Sequence, residues 1–173
     1  MTAEIIDGKA IAVEVRSEVA DGVARLKADT GVTPCLAVVL VGEDPASQVY
    51  VRNKQKAAAE AGMVAEDHTM SAGTSAEALR AKIDGLNADP AVHGILVQLP
   101  LPDHLDEKEF IQCIAPEKDV DGLHPVNTGL LLAGTPRFVS ATPAGVQQML
   151  LRTGNAPAGK HVVVCGRSDI VGK

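Results

Sequence analysis

The segment ASQVYVRNKQKAAAEAG, residues 46–62, places a tyrosine and a lysine one helical turn apart among small residues. At about 100° per residue, Tyr50 and Lys54 share one helix face with several alanines. That face can pack closely on a sheet. A lysine amine partly withdrawn from water gives up its proton more readily, so it can act as a general acid or base. In the structural alternative, Tyr50 fills the edge of the core and Lys54 extends to solvent.

A second polar group is expected where the apolar run VHGILVQL, residues 92–99, ends. Gln98 stands there, followed by Pro100 and Pro102, which stiffen the next loop. Its amide can hydrogen-bond a ligand or hold the lysine amine, or it can simply satisfy loop backbone groups. In a parallel sheet, the carboxyl ends of the strands are also where ligand crevices open.

The polar segment PEKDVDGLHPVNTG, residues 116–129, is predicted to be a loop and contains two nearby carboxylates, Asp119 and Asp121. A calcium loop of the EF-hand type is excluded, because histidine and leucine stand where that loop needs glycine and glutamate. The histidines show no zinc-ligand spacing, so no metal is expected. The two carboxylates serve either turn formation or ligand binding. Asp121 is better placed to accept paired N–H donors from a heterocycle, because Gly122 lets the chain bend around a ligand.

The apolar run KHVVVCG, residues 160–166, predicts a strand that leads into a glycine-bounded turn. Five residues rather than four separate Gly166 from the next Gly-Lys pair, so the turn is not a Walker A loop, and the GxGxxG spacing also fails. Arg167 and Ser168, directly after a strand, nevertheless suit a phosphate. An arginine at this point suits the extra phosphate of NADP.

Composition argues against several classes of function. The 173-residue chain carries a net charge of −6 and only 2% aromatic residues, which argues against nucleic-acid binding through phosphate contacts or base stacking. Neither a signal peptide nor an apolar stretch long enough to cross a membrane is found, so no membrane partner is expected. Three widely separated cysteines indicate reduced thiols in a cytoplasmic protein.

Helices and strands are predicted to alternate along the chain. Periodicity and capping residues predict helices over 9–29, from Pro45 to Gly62, from a Thr74 cap onward, over 106–114 and over 143–152. Apolar runs predict strands over 35–42, 63–70, 92–99 and 160–166. This alternation predicts an α/β domain with a mostly parallel sheet, and residues 153–160 form the predicted linker.

Five segments together resemble one protein family. They are SQVYVRNK at 47–54, GILVQLPLPDHLDE at 94–107, PEKDVDGLHPVNTG at 116–129, ATPAGVQQML at 141–150 and CGRSDIVG at 165–172. In this order they resemble, nearly end to end, the bifunctional methylenetetrahydrofolate dehydrogenase/methenyltetrahydrofolate cyclohydrolases. The resemblance implies a three-layer folate-binding catalytic domain over 1–152. Residues 153–173 would then form a linker and the first strand and turn of a Rossmann-type NADP domain.

The resemblance also implies roles for individual residues. Lys54 would be the main catalytic residue, with Tyr50 stacking on the folate, Gln98 orienting the lysine and Asp121 anchoring the pterin ring. The implied substrate-binding set is Tyr50, Lys54, Gln98, Leu99, Pro100 and Asp121. The implied cofactor-binding set, which meets the 2′-phosphate of NADP, is Gly166, Arg167 and Ser168.

The implied chemistry has two steps in one-carbon metabolism. A hydride passes from 5,10-methylenetetrahydrofolate to NADP⁺, and water then opens the methenyl cation to 10-formyltetrahydrofolate. Family members continue through a complete nucleotide-binding domain and usually pair through it. A homodimer is therefore expected at full length, whereas residues 1–173 alone are expected to transfer hydride poorly. Two alternatives remain: a non-catalytic folate- or nucleotide-binding module, and a Rossmann oxidoreductase acting on another substrate.

Overall fold

The computed structural model describes residues 4–168 and 170–172. Three strands lie between helices in these ranges. The strands are β1 (Cys35–Val41), β2 (Val64–Met70) and β3 (Gly94–Val97). The helices are α1 (Gly8–Thr30), α2 (Pro45–Glu60), α3 (Ala76–Ala88), α4 (Glu107–Cys113), α5 (Pro125–Leu132) and α6 (Ala141–Arg152). In these ranges, every helix is too short or too polar to cross a membrane.

The three strands form one parallel sheet in the order β2-β1-β3. The central strand β1 pairs Cys35 with Val64 on one side and Leu36 with Gly94 on the other. A helix lies in each crossover, as parallel neighbours require. The carboxyl ends of all three strands therefore meet at one edge of the sheet. The predicted α/β class with a mostly parallel sheet is confirmed.

Helices cover both faces of the sheet, which gives the three layers. On one face, Leu79 and Ile83 of α3 and Phe110 of α4 are fully buried against β1 and β3. On the other face, Val51 of α2 packs with Val38 and with further residues of β1 and β3. The buried side chains of both cores are aliphatic apart from Cys35 and Phe110, in keeping with the low aromatic content.

The long helix α1 lies at the periphery. Asp7 caps its start by accepting from the backbone N–H groups of Lys9 and Ala10, and Gly31 ends it in a left-handed conformation with φ 74°. Val23 is its only buried residue. An ion pair holds α1 to α6: the Arg152 guanidinium binds both carboxylate oxygens of Glu18 at 2.7 and 2.9 Å.

Three sequence predictions about helices need correction. Ser75 rather than Thr74 caps α3, because the Ser75 hydroxyl accepts from the Ala78 N–H, whereas the Thr74 hydroxyl donates to the Ser71 carbonyl. The segment predicted as a loop over 116–129 contains the start of α5, whose first residue is Pro125. Helix α6 begins at Ala141, two residues before the predicted start.

The strand predicted over 160–166 does not form. A strand is held by hydrogen bonds to a neighbouring strand, and the free side of β3 is already contacted by the backbone of Lys118 and Asp119. The apolar side chains in the middle of the predicted strand, Val162, Val163 and Val164, are exposed. Although its residues favour a strand, this segment has no neighbouring strand among the described residues and is irregular.

Candidate active site

Helix α2 brings Lys54 to the sheet. Asp44 caps the helix by accepting from the Ser47 N–H at 2.7 Å, and Pro45 occupies the first turn. The buried face contains Ser47, Val51 and Ala58, while Lys54 is half-buried beside it.

The sequence prediction placed Tyr50 on this packing face, and that detail is wrong. Tyr50 is 62% exposed, so it lies outside the buried part of that face. Val51 occupies the centre of the face instead, and Gln55 is half-buried. The helix is rotated by about one position relative to the prediction, because burial of the apolar Val51 outweighs burial of Tyr50.

Lys54 and Gln98 meet at the carboxyl end of β3. The Lys54 ammonium donates to Gln98 Oε1 at 3.0 Å. The Gln98 side-chain amide donates to the Leu99 carbonyl at 2.7 Å, and its backbone N–H donates to the Val39 carbonyl at 2.8 Å. The amide therefore has a fixed direction: its nitrogen is engaged by the backbone, and its oxygen faces the lysine.

Asp121 lies within electrostatic reach of this pair. Its carboxyl is half-buried, and loss of hydration raises its pKa above the ordinary value. The positive charge of Lys54 opposes that rise in pKa, whereas the negative charge of Asp119 adds to it. At the next residue, Gly122 has φ 66° and lies against the Phe138 carbonyl, so a side chain there would be strained and crowded.

Asp119 takes part in turn formation, the first of the two roles considered for it. One of its oxygens accepts from the His124 N–H at 2.8 Å and from the Asn127 side-chain amide at 2.9 Å. Within the described ranges, no group of three or more metal-ligating side chains comes together.

Sequence reasoning missed Asn127 and Ser140. Asn127 is fully buried in α5, and the Ser140 hydroxyl donates to the Asp121 carbonyl at 3.0 Å. A signal existed for Asn127, because it is a polar residue among apolar ones in the segment PVNTGLLL, but that segment was assigned to a loop.

The other predicted substrate-binding residues follow Gln98 directly. Leu99 packs against the core cluster formed with α3 and α4, and the Leu99–Pro100 peptide is cis. Pro100 is exposed at the edge where the strands end. The two residues thus continue the surface that begins at Gln98.

The predicted cofactor residues Gly166, Arg167 and Ser168 are exposed. The Ser168 hydroxyl accepts from the Val171 N–H at 3.2 Å, and its carbonyl accepts from Gly172 at 2.9 Å. In the described ranges, Gly166, Arg167 and Ser168 make no hydrogen bond to Lys54, Gln98 or Asp121. Asp169, which adjoins the predicted phosphate site, lies outside those ranges.

A shallow groove of about 470 Å³ lies elsewhere, between β2 and α3, lined by residues that include Glu66, His68 and Lys82. It contains none of the predicted site residues. We place the candidate site at Lys54 because an amine, a fixed amide and a half-buried carboxyl converge there. Such an arrangement can bind a heterocycle and move protons.

The fold and this site agree with one family. A family model of the tetrahydrofolate dehydrogenase/cyclohydrolase catalytic domain matches residues 6–121. The chain therefore belongs to the tetrahydrofolate dehydrogenase/cyclohydrolase family, which confirms the resemblance inferred from its five segments.

Individual relatives carry the name FolD. The bifunctional protein FolD of Moorella thermoacetica is 58% identical over 173 residues, which are 100% of this chain and 61% of that protein. The crystal structure of the bifunctional FolD methylenetetrahydrofolate dehydrogenase/cyclohydrolase from Campylobacter jejuni matches 98% of this chain and 60% of its own, with 42% identity and a TM-score of 0.94. The chain thus spans about three fifths of these relatives' length.

A third similar structure contains a cofactor. The methylenetetrahydrofolate dehydrogenase-cyclohydrolase of Trypanosoma brucei, complexed with NADP and an inhibitor, matches 99% of this chain and 59% of its own. The identity is 40% and the TM-score is 0.93.

Proposed function

We propose that the natural protein carrying this sequence oxidises 5,10-methylenetetrahydrofolate with NADP⁺ and hydrolyses the resulting 5,10-methenyltetrahydrofolate to 10-formyltetrahydrofolate. The observation that carries the proposal is the hydrogen bond of 3.0 Å between Lys54 and Gln98, next to the half-buried Asp121. Family membership supports the substrate class. The names of the relatives support the pairing of the two activities.

In the hydrolytic step, Lys54 is the group that moves the proton. Its neutral amine takes a proton from water as the oxygen bonds to the methenyl carbon. The ammonium then returns a proton to the ring nitrogen as the carbon–nitrogen bond breaks. The hydroxyl of the adduct releases its own proton to solvent as the C=O bond forms, which leaves the formyl group on the other nitrogen. The fixed Gln98 amide keeps the lysine nitrogen in place through both transfers. Asp121 accepts N–H donors of the pterin ring, and Tyr50 covers the ring from the rim.

For the oxidation, NADP⁺ accepts hydride when it is bound. The residues of this chain orient the folate and supply part of the cofactor site. Arg167 is exposed, and Gly172 lies so close to the Gly166 backbone that a side chain there would collide. A tight turn that presents an exposed guanidinium fits the 2′-phosphate of NADP.

The remaining organisation follows from the same proposal. Residues 1–152 form the folate-binding domain, and residues 153–173 begin the NADP-binding domain. We expect a homodimer of the natural protein and a cytoplasmic location. The three cysteines are all free, which agrees with a reducing compartment.

The central test replaces Lys54 by methionine in the natural protein that contains residues 1–173. We expect cyclohydrolase turnover to fall by about a hundredfold or more, because proton transfer is lost, while folate binding is largely kept. Lys56→Met is the matched control, since its amine is exposed on the same helix and, among the described residues, forms an ion pair with Glu60 alone. Unchanged turnover in the Lys54→Met variant would favour a non-catalytic folate- or nucleotide-binding module.

A separate test addresses the cofactor and the substrate. Arg167→Ala should raise the KM for NADP⁺ severalfold and leave that for NAD⁺ nearly unchanged, because only NADP has the 2′-phosphate. Competition by reduced folate analogues should inhibit both activities. A lack of competition would favour an oxidoreductase acting on another substrate.

A further inference from the structure

Two fully buried polar residues lie behind the Asp121 turn and have no part in the chemistry proposed so far. Asp119 is 1% exposed and Asn127 is 0% exposed. The Asn127 amide donates to Asp119 Oδ2 at 2.9 Å and to the Pro116 carbonyl at 2.8 Å. The same Asp119 oxygen accepts from the His124 N–H at 2.8 Å.

This arrangement is costly in free energy. A buried carboxylate loses its hydration, and hydrogen bonds only partly compensate for that loss. Asn127 Oδ1 is also buried and has no hydrogen-bond partner among the residues that the structure describes. Helix α5 does not need the pair for its start, because His124 Nδ1 already accepts from the Val126 N–H.

The backbone shows what the pair holds in place. Ile95 of β3 donates to the Lys118 carbonyl at 2.7 Å and is bridged to Asp119, so this side of the turn is fixed to the sheet three residues before Gln98. The Gly122 N–H donates to the Asp119 carbonyl at 3.2 Å, which closes a turn with Asp121 near its tip.

The far side of the same turn is fixed by side chains. The carboxylate of Asp119 reaches forward to the His124 backbone, and Asn127 joins that carboxylate to Pro116. The Ser140 hydroxyl adds a separate bond to the Asp121 carbonyl. Asp121 is thus held on both sides of the turn, whereas Lys54 and Gln98 are held independently by α2 and β3.

We propose that Asp119 and Asn127 are positioning residues, which hold the turn over 119–122 so that the Asp121 carboxylate faces Lys54 and the folate ring. This inference rests on the proposed function. It assigns to the pair an effect on folate binding rather than on proton transfer, because no hydrogen bond links the pair to Lys54 or Gln98 among the described residues.

The experiment measures folate binding and turnover in parallel in the natural protein. Asn127→Ala should raise the KM for methenyltetrahydrofolate, and the Kd for the non-reacting 5-formyltetrahydrofolate, by about tenfold, while kcat changes by less than about threefold. Asp119→Asn keeps the shape of the side chain and an acceptor oxygen. The KM and the Kd of this variant should therefore stay within about threefold of those of the unaltered protein.

Lys118→Met is the matched control for simple loss of stability. The Lys118 ammonium donates to three carbonyls near the end of α3, those of Leu86, Asn87 and Asp89, at 2.7 to 3.0 Å. The variant loosens the same loop on the side away from the site. It should lower Tm without raising the KM. If Lys118→Met lowered Tm as much as Asn127→Ala does and also raised the KM as much, the proposal would be overturned.

Ser140→Ala keeps the proposal testable if Asn127→Ala does not fold. It removes only the bond to the Asp121 carbonyl, and Ser140 makes no side-chain cap of α6. We expect a KM about threefold higher with an unchanged Tm. An unchanged KM in Ser140→Ala, and in Asn127→Ala where it folds, would overturn the positioning role. The proposed function is tested separately by Lys54→Met, and its failure appears as turnover that survives that substitution.

Discussion

Lys54 and Gln98 are 44 residues apart in the sequence and are joined by a hydrogen bond of 3.0 Å. The lysine comes from a helix on one face of the sheet, and the glutamine comes from the end of a strand within it. The bond therefore forms only when α2 is docked on the sheet, so the geometry of the proposed catalytic pair depends on tertiary packing. The Gln98 amide, held at its nitrogen by the Leu99 carbonyl, cannot rotate without losing a second bond.

Substitutions at Gln98 should change the behaviour of the lysine. Gln98→Met removes the acceptor, and we expect cyclohydrolase kcat to fall about ten- to a hundredfold, as is typical for loss of a hydrogen bond to a charged group. Gln98→Glu keeps an acceptor for the ammonium but loses the N–H donor to the Leu99 carbonyl, so we expect it to retain more of kcat than Gln98→Met. The exposed Gln112→Met is the control. An equal loss of kcat in Gln98→Met and Gln112→Met would contradict this account.

Asp121→Asn should separate stability from binding. Burial raises the pKa of the Asp121 carboxyl in the folded protein. The contribution of this carboxyl to the stability of the fold is therefore complete below its unfolded-state pKa near 3.8, and it is lost as pH rises through the higher folded-state pKa. At pH 7 the asparagine variant should therefore unfold at the same or a higher temperature than the unaltered protein. That difference should shrink toward pH 4, and folate affinity should be lower at pH 7. Thermal scans with calorimetric titration would show it, and a lower Tm at pH 7 would contradict it.

Gly94 of β3 lies in close contact with Val120, which belongs to the turn over 119–122. A Cβ atom at position 94 would lie 2.5 Å from Val120 Cγ1, whereas the next nearest group, Leu36 Cδ1, is 3.5 Å away. Gly94→Ala should therefore lower the free energy of unfolding by about 1–3 kcal/mol through overpacking. The double variant Gly94→Ala/Val120→Ala should recover part of that loss in urea unfolding. Strict additivity of the two single effects would show that this contact is not the cause.

The Arg152–Glu18 ion pair predicts a pH-dependent attachment of α1. The Arg152 guanidinium lowers the pKa of the Glu18 carboxyl through their hydrogen bonds. The pair therefore stabilises the folded protein above about pH 4.5, the unfolded-state pKa, and this stabilisation is lost as pH falls through the lower folded-state pKa. Arg152→Met should give a small decrease in Tm at pH 7 that disappears in acid and weakens in high salt. Arg16→Met, an exposed change on α1, serves as the control. A Tm decrease that is independent of pH would contradict the ion-pair explanation.

Much of the fold could be predicted because its signals are local. The Asp44-Pro45 start of α2 and the Gly31 end of α1 follow from capping and left-handed backbone preferences. The failed strand over 160–166 shows the limit of such signals. Strand propensity describes how side chains fit a sheet, and the neighbouring strand cannot be read from the segment itself.

The contact between Lys54 and Gln98 could be predicted in outline, and the residues that support its surroundings could not. Lys54 and Gln98 were found because a helix face and a strand end are periodic features. The exposure of Tyr50 was missed because a helical wheel gives spacing but not which side meets the sheet. Asn127 was missed because its hydrogen-bond partners, Asp119 and Pro116, lie eight and eleven residues earlier in the chain, across a turn. Composition alone does not reveal such contacts.

The position of β2 at the border of the sheet has a consequence for solubility. Among the residues that the structure describes, no strand pairs with the outer side of its backbone. A strand from another molecule could pair there and extend the sheet from chain to chain. Two neighbouring carboxylates in the middle of β2, Glu66 and Asp67, make stacked copies repel one another. That protection is electrostatic, so acidification should weaken it and promote self-association along this strand.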